Sequence, residues 1–300
     1  MSDANPSAAM LIEAHAAVVG EGMPIHRALP ARQRRLVGAW CFLDHMGPAR
    51  VAEGEGLRVA PHPHIGLQTV TWLLQGEILH RDSLGTVQLI RPGQLNLMTS
   101  GRAICHSEES PAQRTPDMHG VQFWVALPEG RRHGEPLFDH YAELPIVARE
   151  GLRITVIAGE AFGERSPARM FSPLVGLEIA AEDAVSTRLP LREDFEYALL
   201  VLNGDANVDG EPLPPDVLLY LGAGRGALEL RATPQARLIL IGGAPFGEST
   251  LMWWNFVARS KDELVEACRD WNANRGFGEV HGYRGERLLA PLPPWAQPAS

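Results

Sequence analysis

Glycine and proline divide this chain into apolar runs of strand length, and that punctuation limits the possible folds more than any other feature. Thirty glycines and 24 prolines are spread along 300 residues. Between them, Leu67 to Leu74, Val87 to Ile90, Leu95 to Thr99, Gly120 to Leu127 and Leu152 to Ala158 read as strands, separated by turns rich in Gly, Pro or Asp. The pattern predicts an all-β protein. It also repeats: an apolar strand, a Gly-acid turn, a hairpin, a Pro-containing turn and another apolar strand occur at 71–101 and, more weakly, at 197–224. Such an echo predicts two antiparallel β-barrels of related build, with expected domains at 1–140 and 141–300. Helix is expected once, near the end. Ser260 and Glu263 form a capping box, followed by Leu264, Val265, Cys268 and Trp271 at helical spacing. The proline-rich stretch LLAPLPPWAQPAS after it is expected to lie over a barrel surface.

Two short spacings flank the first repeat. His62-Pro63-His64 and His106-Ser107-Glu108 each place two metal-ligating side chains at i and i+2, which in a strand point to the same face about 6.5 Å apart. Two such strands side by side would turn three imidazoles and a carboxylate toward one point. That donor set suits Fe(II), Mn(II), Ni(II), Cu(II) or Zn(II), whereas Mg(II) and Ca(II) want more oxygen. The absence of thiolates argues against a closed structural zinc site. Four protein ligands leave positions open for water, dioxygen or a chelating substrate.

Strand parity extends the site. If His62 and His64 point inward, so do Gly66 and Gln68, and Arg102 and Ile104 share the face of His106 and Glu108. Gln68 and Arg102 are therefore candidate pocket residues, and Gly66 would leave room for a ligand. Cys105 has the opposite parity and reads as core. His45 is expected on a loop, His80 in hairpin-turn chemistry with Asp82 and Gly85, and Trp253-Trp254 in packing between domains. His119 is a weaker candidate beside the ligands. In the second repeat the counterpart of the HPH segment reads as Asp194-Phe195-Glu196-Tyr197, which has no histidine.

The net charge of −9 repels phosphate backbones, so direct nucleic-acid binding is not expected. The cluster Arg32-Gln33-Arg34-Arg35 reads as a solvated turn. Three cysteines, odd in number and far apart, argue against a disulfide framework. No leader and no membrane-length apolar run is recognisable, so a cytoplasmic protein without a membrane partner is expected. The chain contains no GxSxG elbow, P-loop, GxGxxG after a strand, or CxxC.

The segments WCFLDHMGP, PHPHIGLQTVTWLLQGEILHRDSLG, RPGQLNLMTSGRAICHSEES and HGVQFWVALP resemble those of pirins, in the cupin superfamily, over residues 35 to 130. The resemblance implies a bicupin of two stacked jelly-roll barrels with a short C-terminal helix. It further implies Fe(II) in the N-terminal barrel, held by His62, His64, His106 and Glu108, and none in the C-terminal one. Departures from the HRGFET pattern include Ile65 in place of the arginine and Gln68 in place of the glutamate. Some pirins resemble quercetin 2,3-dioxygenases. The implied function is accordingly a dioxygenase acting on a small aromatic substrate such as a flavonol, with Glu108 as ligand or catalytic base. The alternative is a redox-sensitive regulator that binds a protein partner.

Overall fold

The computed structural model describes residues 9–51 and 56–296. The start MSDANPSA and the last four residues, which carry parts of the leader and tail expectations, lie outside them. The described residues are strands joined by turns, with one α-helix, Lys261–Asn272. The five expected strands are present as Leu67–Gln75, Val87–Ile90, Leu95–Thr99, Asp117–Ala126 and Leu152–Ala161.

Two compact units are formed. One contains residues 17–25, 46–140 and 247–300, and the other contains 1–16, 26–45 and 141–246. This division departs from the expected 1–140 and 141–300 at both ends of the chain. The N-terminal strand Met10–Glu13 pairs with Val217–Gly222 in the second unit, Met10 opposite Tyr220 and Glu13 opposite Val217. The helix packs in the first. Its buried face, Leu264, Ala267, Cys268 and Trp271, joins Cys105, Phe256 and Phe277 in one apolar cluster. Half of the expected capping box forms: the Ser260 hydroxyl accepts from the Glu263 amide at 3.3 Å, while the Glu263 carboxylate accepts from the Arg259 amide at 3.3 Å and pairs with Arg132. The tail lies along this helix, with the Trp271 indole donating to the Leu288 carbonyl at 2.7 Å. Trp253 and Trp254 pack against this same cluster.

Among the described residues, the first unit is built mainly, besides a two-stranded ribbon of Leu251–Trp253 and Phe256–Ala258 that precedes the helix in sequence, on two antiparallel sheets. One runs in the order Arg58–His64, Ile104–Glu109, Ile78–Asp82, Val87–Ile90. The other carries Leu137–Tyr141, Leu95–Thr99, Leu67–Gln75 and Asp117–Ala126 and continues through Trp40–Arg50. Ile78, Ile90 and Val59 from the first sheet meet Leu73, Met46 and Met118 from the second in a buried core. His45 therefore sits within a strand and not on a loop. Gly47 and Pro48 suggest a break, yet Trp40–Arg50 runs through them, with Gly47 at φ +74 and no space for a Cβ beside the Met118 carbonyl.

The second unit repeats the arrangement. Glu196–Asn203 pairs with Val217–Gly222, with the hairpin Ala206–Val208 and Glu211–Leu213 between them in sequence. Leu67–Gln75 pairs with Leu95–Thr99 around Ile78–Asp82 and Val87–Ile90 in the same way. The echo in the sequence is thus a repeated strand–hairpin–strand. Arg34 is not simply solvated: its guanidinium pairs with buried Glu196 and lies 4.2 Å over the Tyr220 ring.

Candidate metal centre

The HPH strand, Arg58–His64, pairs antiparallel with Ile104–Glu109, placing His106 opposite His62 and Ile104 opposite His64. Directly opposed residues on one face have Cβ atoms about 5 Å apart, so three imidazoles converge. The ring centroids of His62 and His106 are 4.3 Å apart, and those of His64 lie 5.0 Å from each. One ligating nitrogen from each of the three falls within 4.8 Å of the others, and all three residues are buried.

Each ring is oriented by a contact at Nδ1. His62 donates from Nδ1 to the Ala60 carbonyl at 2.9 Å, and His64 donates to the Asn255 carbonyl at 3.0 Å. His106 reaches a side chain instead: its Nδ1 lies 3.3 Å from His80 Nδ1, and His80 Nε2 lies 3.0 Å from Asp82 Oδ2. Asp82 as acceptor fixes a proton on His80 Nε2, which leaves His80 Nδ1 to accept from His106. All three Nε2 lone pairs are then free to face one point. The His64 and His106 Nε2 atoms stand 3.0 Å apart, about the spacing of cis ligands on an ion with bonds near 2.1 Å. Outer contacts of this kind, which set tautomer and ring orientation, are typical of metal-binding histidines.

Electrostatics agree with this geometry. Burial lowers the His62 imidazole to about 4 and holds His64 and His106 well below the ordinary histidine value, aided by their proximity to one another. Neutral imidazole is the ligating form. For Asp82, burial alone would push the carboxyl up, but hydrogen bonds with His80 and Thr86 outweigh it and hold the group below its usual range.

Glu108 falls in an overlapping cluster. The register slips between His106 and Glu108, so Glu108 faces Val59 on one side and His80 on the other. Its carboxylate groups with His80 and His106, again within 4.8 Å. Burial pushes this carboxyl above the usual carboxylate range, against the pull of His80 and a hydrogen bond with Thr71.

Parity does not carry beyond His64. Gly66 turns the chain at φ +70, and Arg58–His64 and Leu67–Gln75 belong to different sheets. The room left by Gly66 is taken by backbone, since a Cβ there would lie 2.1 Å from the Val257 carbonyl oxygen. Gln68 is fully buried on the second sheet and donates its amide to the Thr99 hydroxyl at 2.9 Å. Arg102 precedes its strand, in the turn after Gly101, and pairs with Glu135 at the surface. It borders a cavity of about 340 Å³ with Arg132, Glu263 and Phe277. His119 is buried on Asp117–Ala126 but is outside both clusters. Cys105 is core, as its parity requires, and burial raises its thiol to about 11.

His80 and Asp82 are the site residues that sequence reading assigned otherwise. The turn chemistry is real: Asp82 Oδ1 accepts from the Leu84 and Thr86 amides at 2.9 and 3.0 Å. His80, however, faces the ligands. The signal was a third i, i+2 pair, His80-Arg81-Asp82, on the strand that flanks Ile104–Glu109.

In the second unit the strand corresponding to the HPH strand is Val185–Pro190, paired with Ala227–Ala232. The expected counterpart, Asp194-Phe195-Glu196-Tyr197, leads instead into the strand that matches Leu67–Gln75. Neither Val185–Pro190 nor Ala227–Ala232 contains histidine, and their inward residues Leu189, Leu228 and Leu230 belong to the apolar core.

Comparison with known proteins adds the following. The family model described as Pirin matches residues 22–125, and that of the Pirin C-terminal cupin domain matches 176–278. A Pseudomonas aeruginosa protein with the provisional name quercetin 2,3-dioxygenase PA1205 is 50% identical, covering 95% of this chain and 90% of its own. A crystal structure of quercetin 2,3-dioxygenase from Acinetobacter baumannii superimposes with a TM-score of 0.94 at 46% identity, over 97% of each chain. At 17% identity the pirin YhhW of Escherichia coli, crystallised with nickel(II), shares the fold, with a TM-score of 0.62 over 79% of this chain and all of its own.

Proposed function

The chain belongs to the pirin family, and from that premise we propose that it is a metal-dependent dioxygenase of the quercetin 2,3-dioxygenase type. The observation that carries this reading is the convergence of three buried imidazoles whose Nδ1 atoms are engaged elsewhere, with the Nε2 atoms of His64 and His106 3.0 Å apart. The names of its similar proteins support the reaction class. His62, His64 and His106 would hold the ion, with Glu108 as fourth ligand or as base, and Fe(II) is the favoured metal. Mn(II), Ni(II), Cu(II) and Zn(II) suit the same donors. The bound metal would supply Lewis acidity and open positions for a chelating aromatic substrate and dioxygen.

The protein's own contribution is positioning and proton transfer. Ala60 and Asn255 carbonyls, and the His80–Asp82 pair, hold the three rings against rotation. A carboxyl raised by burial is suited to accept a proton, so Glu108 would take the proton from the hydroxyl of a flavonol as it chelates. Arg102, already engaged with Glu135, would have to exchange that partner to orient a substrate.

Anaerobic loading with Fe(II), followed by oxygen uptake with quercetin, tests the reading. Turnover is expected to require metal and to fall at least about 100-fold in Glu108→Gln, with metal content measured alongside. Absence of uptake after loading with Fe, Mn, Ni or Cu would end the flavonol reading. Full turnover in Glu108→Gln would remove that residue from its role.

A further inference from the structure

A second cluster of ligating side chains lies in the other unit. His26, on strand Met23–Leu29, and His45, on Trp40–Arg50, both reach Asp216, which precedes Val217–Gly222. His45 Nδ1 lies 2.7 Å from Asp216 Oδ1, and His26 Nδ1 lies 3.0 Å from Oδ2. The three donor positions lie within 4.8 Å of one another. Asp216 is held by its backbone on both sides. Its amide donates to the Val201 carbonyl at 3.4 Å, and its carbonyl accepts from Ala14 at 2.9 Å.

We propose that His26, His45 and Asp216 form a second divalent transition-metal site, independent of the histidine cluster in the first barrel. Two imidazoles and one carboxylate form the donor set that borderline first-row ions such as Zn(II), Co(II) and Ni(II) accept. The nitrogen–oxygen spacings of 2.7 and 3.0 Å match cis positions on an ion with bonds near 2.1 Å, which are about 3.0 Å apart. The His45 side chain is 2% exposed, those of Asp216 and His26 30% and 43%. One side of the site is therefore walled and the other open to water, which would complete the coordination.

The three segments explain what such an ion would do. His45 and Asp216 are 171 residues apart in sequence, so coordination closes a long loop and fastens residues 26–45 to the start of Val217–Gly222. Cross-links that close long loops restrict the unfolded chain most, and an ion that binds only the folded form stabilises it by mass action. The site is therefore a structural clip, and it does not depend on the reaction proposed for the first barrel.

Counting metal per chain tests this. Purified, metal-stripped protein is dialysed against Zn(II), and separately against Co(II), whose visible absorption reports imidazole and carboxylate ligation. The wild type is expected to bind two equivalents, His62→Ala/His64→Ala one, and His26→Ala one fewer than its parent in either background. His26 is half-buried at the edge of the cluster, so its removal is expected to leave the fold intact, and Asp216→Asn is a near-isosteric second variant. Each should weaken the second equivalent at least about tenfold. Added Zn(II) should raise Tm in His62→Ala/His64→Ala and leave Tm unchanged once His26→Ala is added. A wild type that binds one equivalent, or a second equivalent that survives both His26→Ala and Asp216→Asn, would overturn the proposal. The triad would then be a hydrogen-bonded one only.

Discussion

The two barrels solve the same packing problem in opposite ways. In the second, the strands Val185–Pro190 and Ala227–Ala232 turn Leu189, Leu228 and Leu230 inward, and these join a continuous apolar core. In the first, the corresponding strands Arg58–His64 and Ile104–Glu109 turn inward His62, His64 and His106. Leucine repays burial directly, at about 25 cal/mol per Å² of apolar surface. Buried imidazole does not, and each ring must find hydrogen-bond partners or a metal. The first barrel supplies two backbone carbonyls and the His80–Asp82 pair for this purpose. The same topology can thus spend an interior on stability or on ligands, and the choice rests on a few inward positions.

That contrast makes distinct predictions for the two interiors. Leu230→Ala should cost the protein about 2–5 kcal/mol of stability, read from urea or thermal unfolding, with metal content unchanged. A comparable loss of metal would mean that the second barrel is not merely packed. In the metal-free protein the first barrel should respond to acid. His62 has its folded value lowered to about 4 from 6.5, so between those values the unfolded chain binds the extra proton. Stability should therefore fall as pH drops from 6.5 toward 4, by about 3 kcal/mol for this group. His62→Gln should make the profile shallower, with His64 and His106 still contributing, and a profile unchanged by that substitution would remove His62 as a cause. The smallest effect tests the outer contacts. Asp82→Asn should weaken metal binding about 10- to 100-fold through His80 and His106, measured by competition with a chelator. Unaltered affinity would reduce Asp82 to turn chemistry alone.

Much of this was legible before any fold was known. Alternation of apolar residues with Gly, Pro and Asp located the strands, because a half-buried strand and its turn each impose local residue preferences. The i, i+2 spacing marked His62, His64 and His106, because side chains two apart on a strand must share a face. Parity failed where the chain left its strand. Gly66 and Gly101 both adopt positive φ, and a residue count across such a turn no longer reports direction, which is why Gln68 and Arg102 separate from the ligands. His80 was passed over for a related reason. Its own segment reads as a hairpin, and only the pairing of Ile78–Asp82 with Ile104–Glu109 turns it toward His106.

The sequence by itself determined the class of fold, its duplication and the three imidazoles, since each follows from short-range periodicity. Tertiary structure alone decided which unit takes the chain ends, how Glu108 groups with His80, and that His26 and His45 meet Asp216. Those outcomes depend on register between strands far apart in sequence, set by the packing of whole sheets and not by local preference.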